Sequence, residues 1–373
     1  AAATACGFAA AAIASPRAAL CCGAPGIDPE AHATSTNAKS GAAMRFNDCL
    51  SNIRTLPTNC VILTRKSTPM ARPGPSNSLS DVAGLSIGCA EDENALTGVT
   101  VIVPDVRAVC AVDVRGGGPG TRETDALAPE NLVDAVDALV LSGGSVYGLA
   151  AADGVAAAMG AEGRGFGLID LPGVPRSPVI PAAILYDLAN GGSKAWNDAP
   201  PYNALGRRAY AARGKTTPLG NVGAGLGAVA GALKGGQGSA SIVSQDGFTV
   251  AALACVNCWG STTMPNQRAF WAQPFEIDGE FGGVPAIARS FDSEDWGGAK
   301  FNPQPRANTT IACVATDAAL TPAEAKRISQ MASAGLARAI RPVFAPFDGD
   351  VVFTLATGVR ETSEPRALTI ARL

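Results

Sequence analysis

The sequence predicts a protein of the α+β or layered α/β class, in which sheets pack against helices. Strand-like apolar runs occur in pairs, and the clearest pair, residues 239–244 and 248–256, flanks an Asp246-Gly247 turn that is typical of a hairpin. The last 65 residues, from Thr309 to Leu373, have a strand–helix–strand pattern. Strand pairs together with long helices favour sheets that are covered by helices.

Regular structure begins at about Ser78. Apolar patterns predict strands at 99–103, 106–114 and 135–141, and the third of these leads into a helix at about 146–159. A glycine loop that ends in charged residues, residues 115–125, follows the second strand. The stretch Cys258 to Ala307 has no regular pattern, and an irregular segment of that length inside a domain indicates a function.

A capping box marks the C-terminal helix. The stretch Thr321-Pro322-Ala323-Glu324 places a threonine and a glutamate so that each caps the other's backbone, with proline at the first helical position. The pattern predicts a helix that Pro342 ends. The turn Asp348-Gly349-Asp350 and a strand over 351–356 follow it.

Composition limits the class of protein. The chain has 373 residues, a length that is enough for a large core in one domain or two. Of these residues, 47% are hydrophobic and 16% are charged. The net charge is −3 and basic residues are scattered, which argues against nucleic acid as a partner. No apolar run reaches the ~20 residues that a membrane span needs. We therefore expect a cytoplasmic protein that binds neither nucleic acid nor membrane.

Residues 1–75 are predicted to be a leader that is poorly ordered or non-native. The first 27 residues contain no acid, are rich in alanine and lack a Met start, so a secretory signal is not indicated. An organellar transit peptide and non-native upstream sequence are the alternatives, the second because Met70 to Pro75 is typical of a natural start. Residues 76–373 are predicted to form a single domain.

The cysteines outside the leader predict packing rather than chemistry. Five of them fall in or beside apolar runs and are expected to be small buried hydrophobes: Cys89, Cys110, Cys255, Cys258 and Cys313. Cys255 and Cys258 have the spacing of a redox or zinc pair. A second such pair is missing, and Cys255 lies within a strand pattern, so burial is the favoured interpretation.

The stretch Asn308-Thr309-Thr310 is the strongest candidate for chemistry. It leads from a polar, proline-rich segment into the apolar run 311–316, so it places a hydroxyl at the head of a buried strand. The single histidine, His32, lies in the leader, which argues against a Ser-His-Asp triad and a histidine-based metal site. A threonine whose own α-amine is freed by chain cleavage needs no histidine, because that amine is the base.

Three other motifs favour turns over function. Residues 213–217 are similar to a phosphate loop, but the required glycine is Ala209. Residues 143–148 nearly match a nucleophile elbow, with the closing glycine one residue late. The glycines of 223–227 lack the acidic residue that dinucleotide binding needs.

A series of longer motifs resembles the L-aminopeptidase/D-esterase family, which includes β-aminopeptidases and the nylon-oligomer hydrolase. The resemblance covers about residues 75 to 360, with its hallmark run at Val112 to Asp125. The other matching stretches follow in the same order: Asn77 to Gly88, Thr97 to Ile102, Ser142 to Leu149, Pro181 to Leu188, Asn221 to Gly225, Lys234 to Gly236, Asn308 to Ile311 and Phe347 to Asp350.

The resemblance implies a four-layer αββα sandwich, within the α+β class, that cuts itself into a large α chain ending at Asn308 and a small β chain, residues 309–373. Thr309 becomes the N-terminal nucleophile. The family pattern also places six side chains at the site, which are Thr309, Asn257, Lys234, Asp348, Asp350 and Tyr147. It implies no metal or organic cofactor, and a homo-oligomer of αβ units.

These residues suit amide hydrolysis through an acyl-enzyme. An α-amine titrates at about pH 7.7–8, so a useful fraction is a neutral base at physiological pH. Asn257 and Tyr147 are expected to donate to the oxyanion and to contact the substrate, a contribution of about 3–4 kcal/mol per good donor. Lys234 is expected to keep the α-amine neutral by like-charge repulsion.

The two aspartates have separate expected roles. Asp348 is expected to hold the Thr309 hydroxyl or ammonium, and Asp350 to hold the partner of Asp348 or a substrate amine. Because the two carboxylates lie close together, at least one should titrate unusually.

The predicted function is a self-processing N-terminal-threonine amide hydrolase that acts on small peptides or related amides. One alternative is an endo-type oligoamide hydrolase or an acyl transferase that uses the same acyl-enzyme. A second is an unprocessed relative that only binds small metabolites. A shared nucleophile does not fix the substrate, because specificity lies in the pocket walls.

Overall fold

The computed structural model describes residues 71–373, except 170, 288, 289, 291, 293, 301–307, 363 and 364. Most of the predicted leader, residues 1–70, lies outside the described residues. The described chain begins at Ala71, and Arg72–Pro73 already forms an edge strand that pairs with residues 242 and 243.

The larger sheet has six strands in the order β1-β10-β11-β12-β13-β4. Their bounds are β1 Arg72–Pro73, β10 Gly236–Val243, β11 Thr249–Asn257, β12 Thr309–Ala318, β13 Val351–Arg360 and β4 Val109–Val114. The predicted hairpin is the antiparallel pair β10 and β11. Strand β12 is antiparallel to β11 and parallel to β13, and β4 is antiparallel to β13.

The second sheet has five strands in the order β2-β3-β6-β7-β5, and a two-stranded ribbon joins β8 to β9. The bounds are β2 Leu85–Asp92, β3 Thr97–Pro104, β6 Leu139–Ser142, β7 Ala182–Ile184, β5 Thr121–Arg122, β8 Val229–Ala230 and β9 Leu233–Lys234. The α-helices of the described chain are α1 Ala150–Ala161, α2 Tyr202–Ala211, α3 Pro322–Ala339 and α4 Arg366–Arg372.

Three apolar clusters define four layers. Side chains such as Ile328 and Leu336 of α3 pack on the outer face of the six-stranded sheet. The inner faces of the two sheets enclose a second cluster, which includes Ile102 and Phe353. Helices α1 and α2 cover the outer face of the five-stranded sheet in a third cluster. The layer order is therefore helix, sheet, sheet, helix, as predicted for an αββα sandwich.

Alternation along single strands produces this layering. In β3, Val99, Val101 and Val103 face the helices while Ile102 faces the other sheet. The capping box of α3 is present, since the Glu324 N–H donates to Thr321 Oγ1 at 3.3 Å and the Thr321 N–H donates to Glu324 Oε2 at 2.8 Å. No helix of the described chain is both long and apolar enough to cross a membrane.

Some elements differ from the sequence pattern. The apolar runs 99–103 and 106–114 belong to different sheets, because the chain crosses between the layers after Pro104. The strand predicted at 135–141 is regular only over Leu139–Ser142, since Val136 pairs with Ala108 in an isolated bridge. The helix expected from 146 begins as a 3-10 turn over 145–149 and becomes α1 at Ala150.

The sheet order brings four chain segments together at one end of the strands of the six-stranded sheet. Because β12 is antiparallel to β11 and parallel to β13, the end of β11 lies beside the start of β12 and the turn before β13. Strand β4, antiparallel to β13, finishes at the same end. Asn257, Thr309, the Asp348-Gly349-Asp350 turn and the glycine loop after Val114 therefore meet there.

Candidate active site

The junction between Asn308 and Thr309 lies at the head of β12 and is closed off from solvent. Asn308 is 0% exposed and Thr309 is 2% exposed. The Thr309 hydroxyl donates a hydrogen bond to the Asn308 carbonyl. The hydroxyl therefore lies against the peptide bond that it is predicted to attack.

The turn before β13 holds the same carbonyl from the other side. Asn308 and Asp348 form a parallel bridge, and the Gly349 N–H donates to the Asn308 carbonyl oxygen at 2.9 Å. A Cβ atom at position 349 would lie 2.7 Å from Thr309 Oγ1, closer than real Cβ contacts. Only glycine lets this backbone approach the hydroxyl so closely.

Asp350 ties this turn to β12. Its Oδ1 accepts from the Thr310 N–H at 2.7 Å and its Oδ2 accepts from the Phe344 N–H at 3.1 Å. Phe344 has φ 57°, a left-handed conformation that is uncommon for a bulky side chain. The two backbone donors fix the carboxylate beside the start of β12.

Asp348 lies between the turn and the segment after β11. Its Oδ1 accepts from the Trp259 N–H at 3.3 Å, and the indole packs edge-on against Phe347. Burial raises the pKa of Asp350, and the neighbouring Asp348 charge raises it further. Burial also raises the pKa of Asp348, against the effect of its backbone donors and of Lys300. The predicted unusual titration of the pair has this cause.

The glycine loop after β4 supports the turn, a role that the sequence analysis did not assign. The Arg115 and Gly116 N–H groups donate to the Asp350 carbonyl at 3.0 and 3.2 Å, and the Gly118 N–H donates to the Asp348 carbonyl at 2.7 Å. A Cβ at Gly116 would lie 2.3 Å from the Asp350 nitrogen. The glycines of the hallmark run thus permit backbone-to-backbone contact, and their clustering was the available signal.

Asn257 pairs with Thr309 in the β11–β12 register. Its Oδ1 accepts from the Val229 N–H at 2.9 Å and from Asn190 Nδ2 at 3.1 Å, while its own Nδ2 donates to the Tyr186 carbonyl at 2.8 Å. These partners fix which end of the amide carries the donor. Asn190 and Tyr186 are contributors that the sequence analysis missed.

Lys234 and Tyr147 are connected to the junction through intermediates. Lys234 pairs with Val229, the residue whose N–H holds Asn257, and its Nζ donates to the Leu226 carbonyl at 2.6 Å. Burial lowers the pKa of Lys234, and the Asp187 carboxylate opposes this shift. The acid that interacts with this lysine is thus Asp187, not the Asp348–Asp350 pair beside Thr309.

Tyr147 stands on the 3-10 turn before α1. It is 46% exposed and packs edge-on against Trp196 at 5.9 Å between ring centroids. The turn is fixed by buried Asp187, whose Oδ1 accepts from the Gly144 N–H at 2.8 Å. The Tyr147 ring therefore lies on an accessible surface, joined to Asn257 through the segment 186–190.

Lys300, in the irregular segment after β11, was missed by the sequence analysis. Its Nζ donates to Asn308 Oδ1 at 3.0 Å and to the Asn257 carbonyl at 3.2 Å. Burial lowers the pKa of Lys300 to about 8, against the opposing charge of Asp348. A lysine eight residues before the junction carries no distinctive spacing, so only the folded structure reveals the contact.

The Cys255 and Cys258 thiols point into separate apolar clusters, as the burial prediction required. Cys255 Sγ donates to Gln237 Oε1 at 3.4 Å and Cys258 Sγ donates to the Gly260 carbonyl at 3.1 Å. Burial raises the pKa of both thiols well above the usual range. Neither thiol is poised to react as a thiolate.

A family comparison decides the class of enzyme. The model of peptidase family S58 matches residues 77–372, which is most of the chain. The chain belongs to peptidase family S58. Membership in S58 confirms the predicted resemblance and the prediction of a hydrolase that acts on amide bonds.

Relatives by sequence fall in two groups. An uncharacterized aminopeptidase of Mycobacterium tuberculosis is 46% identical over 294 residues, covering 76% of this chain and 82% of the relative. A 6-aminohexanoate-oligomer endohydrolase of Kocuria sp. is 28% identical over 300 residues, covering 78% of this chain and 77% of the relative. This S58 chain is thus similar both to a protein named as an aminopeptidase and, more distantly, to an oligoamide hydrolase.

Solved structures agree on the fold. A β-aminopeptidase of Burkholderia sp. superposes with a TM-score of 0.59 at 21% identity, covering 82% of this chain and 84% of that one. The L-aminopeptidase D-Ala-esterase/amidase of Ochrobactrum anthropi, described as a variant of the Ntn hydrolase fold, gives 0.55 at 21% identity and covers 79% and 77%. At this identity the likeness concerns the fold.

Proposed function

We propose that this S58 peptidase cuts its own chain between Asn308 and Thr309 and then uses Thr309 as an N-terminal nucleophile. The carrying observation is the arrangement of the junction: the Thr309 hydroxyl donates to the Asn308 carbonyl, and the Gly349 N–H donates to the same oxygen at 2.9 Å. That distance suits a donor that stabilises an oxyanion.

The self-cleavage chemistry follows from this arrangement. Thr309 Oγ1 attacks the Asn308 carbonyl carbon, and the hydroxyl proton moves to the Thr309 nitrogen as the C–N bond breaks. The product is an ester between Asn308 and the Thr309 oxygen, with a free α-amine on Thr309. Water then hydrolyses the ester, which leaves a carboxylate on Asn308 and a free hydroxyl on Thr309.

The mature site repeats the attack on an external amide. The freed Thr309 α-amine is the base, and burial of the Asp348–Asp350 pair supplies a carboxyl with a raised pKa beside it. Asn257, the strand neighbour of Thr309, and Tyr147 are the proposed donors to the oxyanion. Lys234, linked to Asn257 through Val229, is the proposed outlying cation that disfavours a protonated α-amine.

The substrate class we propose is a small peptide or related amide cut at its N-terminal residue. The 46% identity to a protein named as an aminopeptidase favours it over the oligoamide alternative, where identity is 28%. We further propose that the active form is an assembly of αβ units that needs no added cofactor for this chemistry.

A substrate panel tests the proposal. Wild-type protein should release p-nitroaniline from at least one aminoacyl-p-nitroanilide, and Thr309→Ala should release none, because the nucleophile is absent. Inert anilides together with cleavage of linear 6-aminohexanoate oligomers would favour the oligoamide hydrolase. Inertness towards both classes, with only the uncut chain present, would contradict the hydrolytic site and favour the metabolite-binding alternative.

A further inference from the structure

Lys300 connects the irregular segment after β11 to the proposed cleavage site. The segment returns to the site because the Lys300 N–H donates to the Trp259 carbonyl at 2.9 Å. From there the side chain crosses the edge of the sheet, and its Nζ reaches both Asn308 Oδ1 at 3.0 Å and the Asn257 carbonyl at 3.2 Å. One ammonium thus joins the C-terminal end of β11, at Asn257, to Asn308, the residue before the proposed cut.

The Asn308 amide depends on this contact. Asn308 is fully buried, and across the described residues its Nδ2 has no hydrogen-bond partner. Within the same residues, Lys300 is the only group that hydrogen-bonds the Asn308 side chain. Because an unpartnered buried amide is costly, loss of this bond favours another rotamer, so Lys300 fixes the side-chain position of Asn308.

The position of residue 308 decides the reaction. The attacked carbonyl belongs to Asn308, and it is useful only while it lies against both Thr309 Oγ1 and the Gly349 N–H. Small displacements of reacting atoms cost large rate factors. The Asn308 side chain, which Lys300 holds, is attached to the same Cα atom as that carbonyl group.

We propose that Lys300 is a positioning residue for self-cleavage, which holds the Asn308 amide so that the scissile carbonyl stays between the Thr309 hydroxyl and the Gly349 N–H. The inference rests on the proposed function, since it concerns the cut between Asn308 and Thr309. It also gives the segment after β11 a role in maturation rather than in turnover, because that segment supplies the cation.

A charged neighbour of Lys300 fits this role. Asp348, from the turn before β13, is the acid whose charge favours the ammonium against the cost of burial. Asp348 also accepts from the Trp259 N–H, so the lysine and the acid are fixed to the same short stretch of chain.

Processing kinetics test the proposal in three variants of the full chain. Lys300→Met keeps a side chain of similar length without a donor, Lys300→Arg keeps a charged donor, and Lys215→Met removes an exposed lysine paired with Asp105. The appearance of the fragment that starts at Thr309 is followed by intact mass, and the processed fraction is then assayed for turnover per free Thr309.

We expect Lys300→Met to slow processing by about tenfold or more, with partial recovery in Lys300→Arg. Lys215→Met should stay within about twofold of wild type, as surface substitutions usually do. Turnover of processed Lys300→Met should fall several-fold less than its processing rate, because Asn308 no longer has to be held after the cut and only the contact with the Asn257 carbonyl is lost. Equal melting temperatures in the Thr309→Ala background would show that folding is unchanged.

Two results would overturn the inference while leaving the proposed function intact. One is processing of Lys300→Met at the wild-type rate. The other is an equal loss of processing and turnover, which would make Lys300 a structural or substrate-contacting residue. Failure of wild-type protein to process would instead contradict the proposed function, and the inference with it.

Discussion

Two hydroxyls stand beside strand ends next to glycines, Thr309 at the head of β12 and Ser145 just after β6. Ser145 has a left-handed φ of 53°, in a glycine turn similar to a nucleophile elbow, and its N–H donates to the Leu185 carbonyl at 3.0 Å. Its hydroxyl makes no hydrogen bond to any other described residue. The Thr309 hydroxyl lies against a peptide carbonyl that Gly349 also holds.

The difference teaches that a strained glycine turn exposes a hydroxyl without activating it. What sets Thr309 apart is its place beside the turn before β13, which brings a carbonyl, a backbone donor and two buried carboxyls together. The Ser145 turn is fixed by Asp187 through Gly144 and carries Tyr147 outward. We therefore propose nucleophilic attack by Thr309 and substrate contact through Tyr147, with no part in the reaction for the Ser145 hydroxyl.

Exchanging each hydroxyl in turn is the strongest way to break this comparison. Thr309→Ala should abolish both self-cleavage and amide hydrolysis, because it removes the hydroxyl that lies against the Asn308 carbonyl. Ser145→Ala, the matched control, should process normally and keep turnover within about threefold. The measurement is intact mass over time followed by anilide hydrolysis; a cut and active Thr309→Ala protein would contradict the assignment.

Adding one methyl group at the turn should have the next largest effect. Gly349→Ala places a Cβ 2.7 Å from Thr309 Oγ1 and 2.8 Å from the Gly118 carbonyl oxygen, so the turn must shift away from the junction. Self-cleavage should slow by about 10²-fold or more, the cost of losing one oxyanion donor.

Gly214→Ala is the control for this change, because a Cβ there meets nothing within 4 Å. Its processing rate, from the same mass assay, should match wild type. If Gly349→Ala also processed at the wild-type rate, the Gly349 N–H would not be part of the reaction.

The buried Asp348–Asp350 pair predicts a pH dependence of stability. Burial raises the pKa of Asp348 and Asp350 towards neutrality, above the unfolded value of about 3.9. The contribution of the protonated pair to the free energy of unfolding is thus fully present below about pH 4. It is lost as the pH rises through the raised pKa values.

Denaturant unfolding of the uncut Thr309→Ala protein at several pH values measures this loss. Asp348→Asn in that background should reduce it by about 1–2 kcal/mol between pH 4 and pH 8, since one carboxyl no longer ionises. Asp198→Asn, an exposed control, should leave the profile unchanged. A profile equally steep with Asp348→Asn would contradict the contribution of Asp348 to the pH dependence.

The smallest expected effect concerns the amide of Asn257. Asn190→Ala removes the 3.1 Å hydrogen bond to Asn257 Oδ1, one of the contacts that orient the proposed donor. Turnover of processed enzyme should fall about fivefold, the value of one ordinary hydrogen bond. Asn203→Ala, on the exposed side of α2, is the control in the same kcat assay. An unchanged kcat for Asn190→Ala would show that Asn257 is oriented by its other partners alone.

The sequence predicted the side chains that stand at strand ends of the candidate site, because their residue types and positions match family motifs. These side chains are Thr309, Asn257, Asp348 and Asp350. The order of the four layers was predicted from the same motifs. The backbone groups that bond to the site were not predictable, because every residue type except proline has an N–H group. The Gly349 and Gly118 N–H groups are examples. Lys300 was hidden for another reason, since its contact with Asn308 depends on the path of an irregular segment.

The N-terminal residue of the small chain tests the central claim most directly. Purified wild-type protein, incubated at neutral pH, is analysed by intact mass and by sequencing of any new N-terminus. The proposal predicts a 65-residue chain from Thr309 to Leu373 that begins Thr-Thr-Ile-Ala-Cys. A chain that stays at 37.5 kDa, or one cut at a different bond, would contradict it.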